Sequence, residues 1–213
     1  MTVPPVAKRV TAFVSVAALL CWSAFAEPAR DILPMGQSTF AGKIVRDAKQ
    51  SVPDPYEPVR APDNAPNVFL FMSDDVGFAM ASTFGGPVPT PNLDRLAKGG
   101  VRYNQFHTTG ICSPSRAALL TGRNHHNAGF GYLADLPEGY PGYHAEIPRE
   151  TASIAEILKL NGYNSAMFGK THNITHAATS AAGPFDQWPT GQGFEYFFGL
   201  IGGDTDQYRP ALY

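Results

Sequence analysis

Read as apolar and polar positions, the chain alternates short apolar runs with stripes of helical spacing. Asn67 to Ser73 (Asn-Val-Phe-Leu-Phe-Met-Ser) is almost continuously apolar, bounded by Pro66 before it and by Asp74 and Asp75 after it. Such a run predicts a strand buried on both faces, as in a parallel sheet. Pro91 to Gly99 predicts a helix. Thr90 is a candidate cap, Pro91 suits the first position, Leu93, Leu96 and Ala97 form a stripe, and Gly99-Gly100 stops it. Val101 to Thr109 is a candidate strand. A second helix follows, with Ser113 as N-cap, Pro114 at the first helical position and Gly122 as the left-handed residue past its end. Thr151 to Leu160 predicts a third helix, capped by Thr151 or Ser153. Its apolar face is Ile154, Ile157, Leu158 and Leu160, and Asn161-Gly162 ends it. Asn164 to Phe168 and Phe194 to Ile201 predict strands. Strands and helices in turn are the mark of βαβ units, so the fold class is α/β.

The remaining stretches are punctuated by turn formers. Pro53, Pro55, Pro58, Pro62 and Pro66 mark residues 27–66 as a lead-in expected to wrap over the domain surface, with a short helix around Lys43 to Gln50. Phe130 to Pro148, rich in Gly, Pro and Tyr, predicts a long loop near a cleft. Its tyrosines either pack against an aromatic substrate or simply fix the loop. Asp204-Thr205-Asp206 reads as a turn, because it lacks the glycine and glutamate of a calcium-binding EF-hand.

The first 26 residues carry an address. Lys8 and Arg9 precede a largely apolar run from Val10 to Phe25, and Ala24-Phe25-Ala26 is an A-x-A cleavage site. That pattern is a secretory signal peptide. A membrane-spanning helix needs about 20 apolar residues and a charged stop, and this run is too short. Leu20 before Cys21 is too bulky for lipoprotein processing. The expected location is periplasmic or secreted, with no membrane attachment after leader cleavage.

Cleavage removes Cys21 and leaves Cys112 as the sole cysteine. No internal disulfide can then form, and a lone thiol in an oxidising compartment calls for an explanation. Composition adds little: 16% charged residues and a formal net charge of −2 give no basic surface for nucleic acid.

Chemistry concentrates in three motifs. Cys112-Ser113-Pro114-Ser115-Arg116 puts a thiol just before a helix N-terminus, where backbone N–H groups favour an anion, and Arg116 adds a cation in the first turn. A lone cysteine is otherwise an inert buried thiol. Asp74-Asp75 sits at the C-terminal end of a predicted strand, where α/β proteins bind ligands. Two adjacent carboxylates there share a cation or a proton; elsewhere the pair would be an acidic surface turn. Gly169-Lys170-Thr171-His172 follows another predicted strand, and in extended backbone Lys170 and His172 project from the same face. By itself Lys-x-His is a solvated turn. His125 and His126 lack a Cys or carboxylate at ligand spacing, and neighbours in an extended segment point apart, so a structural or substrate-rim role is expected.

Cys-x-Pro-Ser-Arg followed by Leu119-Leu120-Thr121-Gly122, Asp-Asp-x-Gly at Asp74 to Gly77 and Gly-Lys-x-His at Gly169 to His172 together resemble the type I sulfatases. The similarity is greatest to the bacterial arylsulfatase branch of the alkaline-phosphatase-like superfamily and covers Asn67 onward. The resemblance implies an α/β sandwich around a mostly parallel central sheet, and a sulfuric ester hydrolase acting on small sulfate monoesters. It implies that a maturation enzyme oxidises Cys112 to 3-oxoalanine (formylglycine), whose hydrate is the nucleophile. Asp74, Asp75 and the hydrate at Cys112 would be metal ligands, and oxygen-only ligands suit calcium, with magnesium second. Arg116 would hold the formylglycine, Lys170 would neutralise the sulfate, and His172 would hydrogen-bond the hydrate. A phosphonate or phosphate ester hydrolase of the same superfamily, or an inactive exported binding protein, are the alternatives.

Two carboxylates, one hydroxyl and a sulfate fall short of the roughly six to eight oxygens calcium takes. In the family, further ligands, a second Lys and a second His arrive far downstream. The expectation is therefore that residues 67–213 are the N-terminal part of the catalytic domain, inactive on their own.

Overall fold

The computed structural model describes residues 40–55 and 59–213. The expected leader, residues 1–26, lies outside the described residues. The chain divides into two units, residues 1–56 and 57–213. In the first, Lys43 and Val52 form an antiparallel bridge, each N–H donating to the other's carbonyl at 2.9 and 2.8 Å. The helix expected around Lys43 to Gln50 is reduced to a single 3-10 turn, Ala48–Gln50. Asp47 starts it by accepting the Lys49 N–H. The bridge folds the chain back too soon for a longer helix.

The second unit holds three helices and a parallel strand pair. Helix α1 is Pro91–Gly99, α2 is Cys112–Thr121 and α3 is Ile154–Leu160; β1 is Ala166–Lys170 and β2 is Tyr196–Leu200. β1 and β2 run parallel in a register from Ala166↔Tyr196 to Lys170↔Leu200. α1 has its expected bounds, with Pro91 in the first turn. Thr90 precedes it without a capping bond from its side chain. The Thr90 hydroxyl instead meets Ser82 and Thr83, whose hydroxyls also donate to Asp94 at 2.8 and 2.5 Å. In α3 the cap is Ser153, which accepts the Glu156 N–H at 3.1 Å.

Helix α2 starts earlier than expected. Cys112 is its first residue, Ile111 precedes it, and Ser113 is no cap. The Ser113 hydroxyl is drawn away by tertiary structure, accepting the Ala134 N–H at 3.1 Å. The end is as expected: Gly122 has φ +66°, a left-handed conformation that costs little without a Cβ, and its N–H reaches Ala118 O.

The apolar run from Asn67 to Ser73 is not a buried strand. It is extended but unpaired among the described residues, and Phe69 is 89% exposed. Val101 to Thr109 is likewise no strand. A buried strand needs a ladder on its edges and cover on its faces, and neither segment has them. β1 is also displaced by two residues from the expected Asn164–Phe168, so that it ends on Lys170.

Two small cores hold the unit together. One packs Ala117 of α2 against Ala128, Phe130, Ala134, Ala145 and Ile147. The loop from Phe130 to Pro148, free of helix and strand as expected, is thus anchored by a fully buried Phe130. It is further pinned by bonds from Ala145 N–H to Gly129 O and from Gly131 N–H to Gly142 O. The other core joins Ile174, Ala178, Trp188 and Ile201 beside β2.

Candidate active site

The first turn of α2 and the end of β1 meet. Helical spacing places Cys112 and Arg116 on one side of α2, since residues four apart are neighbours on a helix surface. Arg116 is 7% exposed. Its guanidinium forks: Nη2 donates to Asp74 Oδ1 at 2.9 Å, and Nη1 donates to the Lys170 carbonyl at 2.7 Å. Lys170 Nζ donates to the other Asp74 oxygen at 2.8 Å. One carboxylate thus sits between two fixed cations.

Burial pushes the Asp74 carboxyl up, but the hydrogen bonds and charges of Lys170 and Arg116 together outweigh it. The net direction is down from the ordinary carboxylate value. Asp74 therefore stays ionised at neutral pH.

Cys112 Sγ stands 3.0 Å from His172 Nδ1. His172 is 3% exposed, and its Nε2 lies 2.7 Å from Asp135 Oδ2. His172 has φ +50°, a left-handed conformation outside the strand pattern. The expectation that Lys170 and His172 share a face of extended backbone fails for that reason. Both side chains nonetheless reach the site, Lys170 from the last residue of β1 and His172 after the backbone has turned. The turn is held by bonds from Thr171 N–H to Leu200 O and His172 N–H to Ile201 O.

Asp75 is beside Asp74 but makes no hydrogen bond or ion pair among the described residues, and its φ is +52°. Asp74 and Asp75 offer hard carboxylate oxygens, the donor chemistry that suits calcium or magnesium. No group of three His, Cys, Asp or Glu side chains that could hold a metal occurs among the described residues. The two acids fit such an ion in kind and would supply only part of its shell.

The sequence reading missed Asp135, which lies in the loop after Phe130 with no motif around it. It also missed Asn173, whose Nδ2 donates to Ser113 O at 2.9 Å and so ties the β1 end to the start of α2. His125 and His126 do not point apart. Their ring centroids are 4.1 Å from each other, with His125 Nδ1 on Phe130 O and His126 Nε2 on the Tyr143 hydroxyl. Asp206 accepts the N–H groups of Tyr208 and Arg209, as suits a turn.

A helix start carrying Cys112 and Arg116 is thus set against a parallel strand that ends on Lys170, with His172 just beyond it. Residues 66–213 match the family model described as Sulfatase. The arylsulfatase of Klebsiella aerogenes is 35% identical over 155 residues, covering 71% of this chain and 32% of that protein. Human arylsulfatase A is 38% identical over 137 residues, covering 63% of this chain and 25% of that protein. The crystal structure of Ps i-CgsB superposes with a TM-score of 0.51 at 31% identity, covering 62% of this chain and 27% of that one. The chain belongs to the sulfatase family and shares its α/β fold with a parallel sheet. It spans between about a quarter and a third of the length of these relatives.

Proposed function

We propose that the chain carries the nucleophile's part of a sulfuric ester hydrolase acting on aryl sulfates or similar small sulfate monoesters. The observation that carries this reading is the convergence of Cys112, His172, Arg116, Lys170 and Asp74 on one helix start. A sulfate monoester is an anion, so a catalyst must neutralise its nonbridging oxygens and present a nucleophile to sulfur. Lys170, tethered to Asp74, is the cation for the sulfate oxygens. Arg116 fixes Asp74 and the carbonyl of Lys170, and so holds both acid and cation in register.

Oxidised to formylglycine, Cys112 supplies a hydrated aldehyde: one hydroxyl attacks sulfur, and the second, which Ser or Cys lacks, lets the aldehyde re-form as sulfate leaves. His172 Nδ1 faces this position and accepts the hydroxyl proton. A hard divalent cation held by Asp74 and Asp75 would add Lewis-acid charge neutralisation. Calcium is the first choice on ligand type. Export through a leader at residues 1–26, and maturation by a formylglycine-generating enzyme, belong to the same proposal.

The test compares initial rates of the matured, whole protein on an aryl sulfate and on matched phosphate and phosphonate esters. Faster turnover of the sulfate supports the reading. Turnover of the phosphorus esters without the sulfate would replace it with the phosphohydrolase alternative.

A further inference from the structure

A carboxylate from the loop after Phe130 stands behind the imidazole that faces the nucleophile. Asp135 Oδ2 lies 2.7 Å from His172 Nε2, and its other oxygen faces His176 Nε2 at 3.6 Å. An ionised carboxylate only accepts hydrogen bonds, so at this distance Nε2 carries the hydrogen. In the neutral ring Nδ1 is then a bare acceptor, and it is Nδ1 that stands 3.0 Å from Cys112 Sγ. A ring nitrogen's partner sets which nitrogen is free to act.

The ring has no room to turn away. It is 3% exposed, and Gly203, on the loop after β2, covers it closely. A Cβ on Gly203 would stand 2.7 Å from Cε1 and 2.8 Å from Nε2 of His172. The Asp135 end is equally anchored: Ala134, its neighbour, is fully buried and donates its N–H to Ser113 Oγ, beside Cys112 on α2. The helix that carries the nucleophile and the loop that carries the carboxylate are thus locked together.

We infer that Asp135 is a positioning residue, which holds His172 with the hydrogen on Nε2 and Nδ1 turned to the nucleophile at position 112. This rests on the sulfatase reading for its catalytic consequence, but not for the hydrogen bond itself. Asp135 touches no substrate in this scheme; it acts through His172.

The hydrogen bond is tested by proton and nitrogen NMR of the purified chain labelled with 15N, with His172 assigned from a His172→Gln variant. The wild-type chain should show a downfield, exchange-protected proton on Nε2 of His172 and a bare Nδ1. Asp135→Asn should lose that protected resonance, and Asp135→Glu should regain it. A proton on Nδ1 with a bare Nε2 in the wild-type chain overturns the inference. So does a resonance left unchanged by Asp135→Asn. In the matured whole protein, Asp135→Asn should lower kcat on an aryl sulfate about 10–100-fold, with Asp135→Glu recovering part of it. KM should stay within about twofold, because the lost interaction acts in the transition state. An unchanged kcat would overturn the positioning role. Should the wild-type protein turn over no sulfate ester, the functional reading fails while the NMR result still decides the hydrogen bond.

Discussion

Arg116 and Asp74, 42 residues apart in sequence, are joined by a 2.9 Å bond from Nη2 to Oδ1, and the same guanidinium holds the carbonyl of Lys170. One side chain therefore connects the start of α2, the acidic segment and the end of β1. The site is built from three chain segments with Arg116 at their junction.

Replacing it should loosen all three. Hydrogen bonds to charged groups contribute about 1.5–3 kcal/mol, less where solvent screens the partner. Asp74 is 42% exposed, so for Arg116→Gln we expect a loss of about 1–2 kcal/mol in urea unfolding. Lys170→Gln should cost less, since it removes one bond and leaves the guanidinium fork in place. Equal stability of Arg116→Gln and wild type would show that the junction does not hold the segments.

Gly203 lies against the His172 ring, and the space between them is too small for a methyl group. Gly203→Ala should push the imidazole off the Cys112 axis. Misplacement on the scale of 1 Å can lower turnover about 10–100-fold, and that is the expected fall in kcat on an aryl sulfate. Full activity of Gly203→Ala would mean that the ring is not fixed from this side.

Asp94 makes a separate prediction about acid stability. Hydrogen bonds from Thr83 and then Ser82 hold its carboxyl below the ordinary value of 3.8. A depressed native pKa gives stability that is fully present above the unfolded value and is lost as pH falls through the native one. The acid limb of the melting temperature, below about pH 4, should therefore flatten in Asp94→Asn, with no change in slope near pH 7. An identical acid limb in the two proteins would contradict the clamp.

The parts of the fold legible in the sequence were those determined locally. Pro91 and the Leu93-Leu96 stripe marked α1, Thr151 or Ser153 marked the start of α3, and Gly122 marked the end of α2. What failed depended on distant partners. Nothing in Val68 to Met72 says which strands would pair with it, and here none does among the described residues. Ser113 has the chemistry of a cap, yet its hydroxyl is claimed by Ala134, 21 residues away. The site shows the same division. Cys112, Arg116, Asp74, Lys170 and His172, each singled out by a local motif, lie within one network of contacts. Asp135 escaped notice because its meaning comes only from His172, 37 residues further on.

The central claim is that Cys112 becomes a nucleophile by oxidation, and the most direct measurement is the mass of the tryptic peptide from Tyr103 to Arg116. The protein should be produced together with a formylglycine-generating enzyme. The expected peptide has exchanged its thiol for an aldehyde and reacts with a hydrazide. An intact thiol in all of the recovered peptide would contradict it.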